Sequence, residues 1–124
     1  HLIEPLGFSL QDKYVRRAGL DYWQHLDLRV HPSWERFLEF SQDGPVALLS
    51  TKGTRPYTKI PATTPLYVVF GPETRGLPGR VLKQFPDSVF RIPMAPTIRS
   101  LNLSNTVAVV LFDLLRRGGF AGLQ

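Results

Sequence analysis

Arg91-Ile92-Pro93-Met94-Ala95-Pro96-Thr97-Ile98-Arg99-Ser100-Leu101-Asn102-Leu103-Ser104-Asn105 changes character twice before it runs into the most apolar segment of the chain. It begins as the end of a strand, breaks at Pro93 and Pro96, and re-forms as the mouth of a helix. Ser100, Asn102, Ser104 and Asn105 are residue types that satisfy the orphan amides of a helix N-terminus, and such a terminus also favours negative ligand groups. The stretch therefore reads as a ligand site hung between a strand and a helix.

Downstream, Leu103, Val107, Val110, Leu111 and Leu114 repeat with helical spacing, and Ala108, Val109, Phe112 and Leu115 make the segment apolar almost all round until Arg116-Arg117-Gly118-Gly119 ends it. In a small domain such a helix is expected to be buried on two sides.

Upstream, Val89-Phe90-Arg91-Ile92 is the strand that delivers the opening stretch. Two further apolar runs, Val46-Ala47-Leu48-Leu49 and Leu66-Tyr67-Val68-Val69-Phe70, are read as strands buried in a parallel sheet. Each ends in a distinctive loop, Ser50-Thr51-Lys52-Gly53 and Gly71-Pro72-Glu73-Thr74-Arg75-Gly76. Pro78 suits the first turn of a short helix reaching about Gln84. Thr54 to Pro65, with its prolines, reads as a basic surface loop carrying a short strand around Tyr57 to Ile60.

Nearer the start, Ser33 is expected to cap a helix through Phe40, with Arg36 at its third position and Asp43-Gly44-Pro45 closing it. Leu26, Leu28 and Val30 alternate with charges, which predicts a half-exposed strand that His31-Pro32-Ser33 stops. Ser9 or Asp12 caps a short helix through about Arg17, and Leu2-Ile3 reads as the end of a buried strand. The sum is an α/β fold, a mostly parallel open sheet with helices on both faces, in which ligands sit beyond the carboxyl ends of the strands.

At 124 residues the chain is expected to be a single domain spanning 1–124. Its formal charge of +5 favours an anionic partner such as RNA. It has no cysteine, which excludes disulfides, a thiol nucleophile and a cysteine-based zinc site, and makes the cytoplasm the default compartment. His1, His25 and His31 are scattered without metal-ligand spacing, so no metal is expected. The longest apolar run, Thr106 to Leu115, includes Asp113 and is shorter than the roughly 18 residues a membrane span requires. The motifs of serine hydrolases, P-loops and dinucleotide-binding folds are absent. The residues alone thus describe a basic α/β domain whose three adjacent loops can enclose a small polar ligand.

Phe70-Gly71-Pro72-Glu73-Thr74-Arg75-Gly76-Leu77-Pro78, then Arg91-Ile92-Pro93-Met94, then Ser100-Leu101-Asn102-Leu103-Ser104-Asn105 resemble, in order and spacing, the second and third motifs of the SPOUT superfamily of S-adenosylmethionine-dependent RNA methyltransferases. Within it the chain is most similar to the small bacterial tRNA 2'-O-methyltransferases acting on the wobble cytidine or uridine of leucine tRNAs. Ile3-Glu4-Pro5-Leu6-Gly7-Phe8, Arg16-Arg17-Ala18-Gly19-Leu20-Asp21-Tyr22 and Thr51-Lys52-Gly53 extend the resemblance over nearly the whole chain.

The resemblance implies a carboxyl-terminal trefoil knot, a homodimer built on the apolar last helix, and S-adenosylmethionine as cofactor. The cofactor pocket it implies comprises Ser50, Thr51, Lys52, Phe70, Gly71, Glu73, Ile92, Met94, Ser100, Leu101, Asn102 and Leu103. Glu73, Ser100 and Asn102 are the implied catalytic residues. Arg16, Arg17, Lys52, Arg55, Arg75 and Arg99 are the expected tRNA contacts, mostly to phosphate. The family also carries an arginine in an amino-terminal strand and helix with an Asn-Thr-Gly-Asn-like motif, which has no counterpart here. With the opening at His1-Leu2-Ile3, this reads as a domain entered after its first strand and helix. A non-catalytic RNA-binding or cofactor-binding fragment, and a 2'-O-methyltransferase acting at another RNA site, are the alternative readings.

Overall fold

The computed structural model describes residues 1–7 and 23–124, which form two compact units, His1–Asp43 and Gly44–Gln124. The short helix expected between Ser9 and Arg17, with Arg16 and Arg17 on it, lies outside the described residues.

In the first unit, β1 (Leu2–Ile3) pairs in parallel with β2 (Val30–His31), Leu2 opposite Val30 and Ile3 opposite His31. The Leu2 amide donates to Arg29 O at 2.8 Å and the Glu4 amide to His31 O at 2.9 Å. The strand expected from Leu26 onward is therefore shorter and later, because ladder bonds form only opposite the two residues of β1. Leu26 instead closes a 3-10 turn, Trp23–His25, and His31, read as a stop signal, is a buried strand residue.

The helix α1 (Trp34–Phe40) starts as its sequence requires. Ser33 is extended, and its Oγ accepts from the Arg36 amide at 3.2 Å. Trp34 and Phe37, three residues apart on one face, are buried, and the Phe37 ring stands edge-on to the His31 ring at 5.4 Å.

The second unit holds a four-stranded, wholly parallel sheet in the order β4 (Arg55–Pro56), β6 (Val89–Arg91), β3 (Val46–Leu49), β5 (Tyr67–Phe70). The central β3 is buried at every residue, as its unbroken apolar run demands. Side chains alternate along a strand, so Ala47 and Leu49 join Ile60, Phe90 and Val110 in one core cluster. Leu48, with no exposed surface, points to the other face, so both faces of β3 are covered. The strand β5 is only half-buried apart from Val69, because it forms one edge of the sheet. β4 falls two residues earlier than the strand expected around Tyr57, where a 3-10 turn, Tyr57–Lys59, follows instead.

Two helices complete this unit. α2 (Gly79–Gln84) follows Pro78, which occupies the cap position just before the first turn, and buries Val81. α3 (Leu103–Arg117) lays Val110 and Leu114 on the core cluster. Among the described residues, one of the two sides of α3 expected to be buried is covered, the side that faces the sheet. Val109, Leu111 and Phe112 are 38%, 47% and 57% exposed, because the sheet covers one stripe of the helix and the described residues offer nothing to cover the opposite one. At its end Asp113 pairs with Arg116 at 2.9 Å and Arg117 at 3.0 Å, and Arg117 Nη1 donates to Ile60 O.

No helix among the described residues is long and apolar enough to cross a membrane, and no group of three His, Asp or Glu there is placed to hold a metal ion.

Candidate active site

Parallel strands deliver their following loops to one edge of the sheet, and here three such loops and the mouth of α3 enclose a cleft of about 780 Å³. That volume lies within the ~300–1,000 Å³ of ordinary small-molecule sites.

The first loop follows β3. The Ser50 amide donates to Phe90 O on β6 at 2.9 Å, Ser50 Oγ accepts from the Lys52 amide at 3.1 Å, and the Gly53 amide closes the turn on Ser50 O at 3.0 Å. Gly53 lies so close to β6 that a Cβ there would come within 2.6 Å of the Phe90 carbonyl carbon. This explains the Thr51-Lys52-Gly53 run: the turn needs glycine to hug the neighbouring strand, and it turns Ser50, Thr51 and Lys52 toward the cleft.

The second loop follows β5. Its Gly76 amide donates to Pro72 O at 2.9 Å, and Gly76 has φ +67, in the left-handed region. The loop folds back so tightly that a Cβ on Gly71 would run into the backbone of Gly76 and Leu77. Both glycines are therefore dictated by geometry, one by backbone angle and one by space. Phe70, Gly71 and Glu73 line the cleft from this side.

The third side is the stretch from Ile92 to the start of α3. Ile92 and Met94 are half-buried, and Ser100 and Leu101 are exposed on the cleft wall. Asn102 caps α3: its Oδ1 accepts from the Ser104 amide at 2.9 Å and from Ser104 Oγ at 2.6 Å. Its backbone O accepts from the Thr106 amide at 2.9 Å and Thr106 Oγ1 at 3.1 Å.

All twelve residues expected around a cofactor thus line one cleft, although they come from three separate segments of sequence. The apolar Phe70, Ile92, Met94, Leu101 and Leu103 suit the face of a planar base, and the backbone groups of the three turns suit polar edges. The residues present fit an adenosyl-sized ligand.

The lining also carries Lys52, Arg75, Arg91 and Arg99 against one carboxylate, Glu73. Three of these cations were expected as RNA contacts. Arg91 was not, and its signal was its place as the last residue of a strand that ends at the cleft. Arg55 lies away from the cleft lining: its Nη1 donates to Asp87 O at 2.6 Å and its guanidinium stacks over the Phe90 ring at 4.8 Å.

Residues 1–112 match the family described as SpoU rRNA Methylase. The chain belongs to that family. This SpoU-family chain is 47% identical over 123 residues to the tRNA (cytidine(34)-2'-O)-methyltransferase of Saccharophagus degradans, a match covering 98% of this chain and 80% of that protein. A solved structure concerning 2-OH methylation of C/U34 on tRNA is 42% identical with a TM-score of 0.88, covering 96% of this chain and 78% of the other. An AdoMet-bound rRNA methyltransferase from Sinorhizobium meliloti shares the fold alone, at 24% identity and a TM-score of 0.58, over 73% of this chain and 36% of that one. The resemblance drawn from the motifs of the three loops is borne out by these matches.

Proposed function

We propose that this chain methylates the 2'-hydroxyl of the wobble ribose, cytidine or uridine 34, in tRNA, with leucine tRNAs as the expected substrates and S-adenosylmethionine as the methyl donor. The observation that carries this reading is the convergence of three strand-end loops of a SpoU-family chain on one cleft whose lining holds four cations and one carboxylate. Similarity to proteins named for modification of nucleotide 34 supports the choice of RNA and position.

When bound, S-adenosylmethionine supplies a methyl group activated on a sulfonium. The chain's own task is alignment of the ribose hydroxyl with that methyl group and removal of the hydroxyl proton. Glu73, Ser100 and Asn102 share the cleft and act as the positioning set. Glu73 is the one carboxylate among the described lining residues, which makes it the acceptor toward which the proton is directed. Lys52, Arg75, Arg91 and Arg99 hold the RNA backbone at the mouth.

The exposed stripe of Val109, Leu111 and Phe112 on α3 supports a homodimer in which this face packs across a two-fold axis. The family fold further supports a trefoil knot at the carboxyl end, and a tRNA substrate together with the absence of cysteine supports a cytoplasmic enzyme.

Calorimetric titration with S-adenosylhomocysteine tests the site. Saturable binding is expected, and no heat at millimolar ligand contradicts the reading.

A further inference from the structure

We infer that Ser104 is a positioning residue that fixes the Asn102 side-chain amide so that it meets ligand as a hydrogen-bond donor only; this rests on the methyltransferase reading of the cleft. A side-chain amide has a carbonyl and an NH₂ group that are interchangeable in shape, so its orientation decides whether it offers an acceptor or a donor. At Asn102 the neighbours decide. The Ser104 backbone amide, 2.9 Å away, can only donate, so the atom it meets is the carbonyl oxygen. Ser104 Oγ lies 2.6 Å from that same oxygen, which cannot donate, so the hydroxyl must.

Both lone pairs of Asn102 Oδ1 are thereby filled from one residue, and what remains of the amide is NH₂. Asn102 is exposed and lines the cleft, whereas Ser104 is absent from the lining. Ser104 therefore acts through Asn102. The group that meets Asn102 must carry a hydrogen-bond acceptor, either an oxygen or ring nitrogen of the cofactor or an oxygen of the RNA ribose and phosphate. A ligand presenting only a donor there is rejected, because its proton would face the NH₂ protons.

The same contacts separate this role from helix capping. Ser104→Ala deletes the hydroxyl but keeps the backbone amide bond, so the cap survives while the amide is freer to swing. Asn102→Asp keeps an oxygen for both Ser104 donors, and Asp caps helices as well as Asn. It replaces the NH₂ by a second, anionic acceptor.

The test compares wild type, Ser104→Ala, Ser104→Thr and Asn102→Asp in three measurements: S-adenosylhomocysteine affinity, the KM for tRNA at saturating S-adenosylmethionine, and melting temperature. Ser104→Ala is expected to weaken one of the two ligand constants about fivefold, the scale of one neutral hydrogen bond, with Ser104→Thr restoring it. Asn102→Asp is expected to weaken the same constant by about tenfold or more, and none of the variants to melt earlier. A loss in the first constant assigns the acceptor to the cofactor, and a loss in the second assigns it to the RNA. Wild-type constants in Ser104→Ala, whatever Asn102→Asp does, or losses that follow a fall in melting temperature, overturn the inference while the methyltransferase reading stands. A wild-type protein that neither binds nor transfers overturns both.

Discussion

The backbone of Gly53 lies against the carbonyl of Phe90, close enough that a single added carbon would sit 2.6 Å from the Phe90 carbonyl carbon. The turn that ends β3 is therefore seated directly on β6, and two walls of the cleft are set by one contact. Gly53→Ala must push these backbones apart. It is expected to destabilise the chain by about 1–3 kcal/mol, the usual scale of overpacking, and to weaken S-adenosylhomocysteine binding as well. Urea denaturation beside calorimetry checks it, and an unchanged midpoint would show that the contact gives way freely.

Gly71 and Gly76 make a different pair. Gly76→Ala meets open space and suffers from its positive φ alone, at about 1–2 kcal/mol. A side chain at Gly71 meets backbone, so Gly71→Ala is expected to abolish ligand binding even where Gly76→Ala retains part of it. Equal affinities in the two variants would argue against a tightly folded second loop.

Asp113 holds Arg117, and Arg117 in turn reaches Ile60 O across the core. The side chains of Asp113 and Arg117 are 11% and 24% exposed, so removing the carboxylate leaves a partly buried guanidinium without its counter-charge. Asp113→Ala is expected to cost about 2–3 kcal/mol, just under the range for breaking a fully buried pair. Thermal and urea unfolding measure the loss, and a change below about 0.5 kcal/mol, typical of an exposed pair, would contradict it.

Arg75→Gln and Arg99→Gln are expected to weaken tRNA binding and to lower the slope of log affinity against log salt by nearly one each, while S-adenosylhomocysteine affinity holds. Filter binding across a salt series gives the slope. A salt slope equal to that of wild type would remove these arginines from phosphate contact.

Phe112→Glu places a charge in the exposed apolar stripe of α3. Sedimentation velocity is expected to give a dimer for wild type and a monomer for the variant at micromolar concentration. A wild-type monomer would leave the stripe without its proposed cover.

Much of this was legible in the sequence where a local rule governs. Ser33 as a cap, Val46 to Leu49 as a fully buried strand and Asn102 at the mouth of the last helix each follow from a few neighbouring residues. The twelve cofactor-site residues were reached through motif resemblance, since no periodicity relates Ser50 to Phe70 or Ser100. What the sequence concealed depends on distant partners. Leu26 to Arg29 alternate like a strand, yet β1 offers only two residues to pair with. Arg55, expected among the tRNA contacts, has local partners that no sequence pattern shows, the Asp87 carbonyl and the Phe90 ring. The exposed face of α3 is a middle case: its apolar pattern shows that a second cover is needed, but only the resemblance, with its implied homodimer, says that this cover belongs to another chain.

The most direct test is transfer of radiolabelled methyl from S-adenosylmethionine to unmodified tRNA by this protein, with mapping of the labelled nucleotide. Label on the 2'-oxygen of nucleotide 34, lost in Gly71→Ala, is the result predicted. Label on a base or at another position, or no label from a protein that binds both S-adenosylhomocysteine and tRNA, would contradict it.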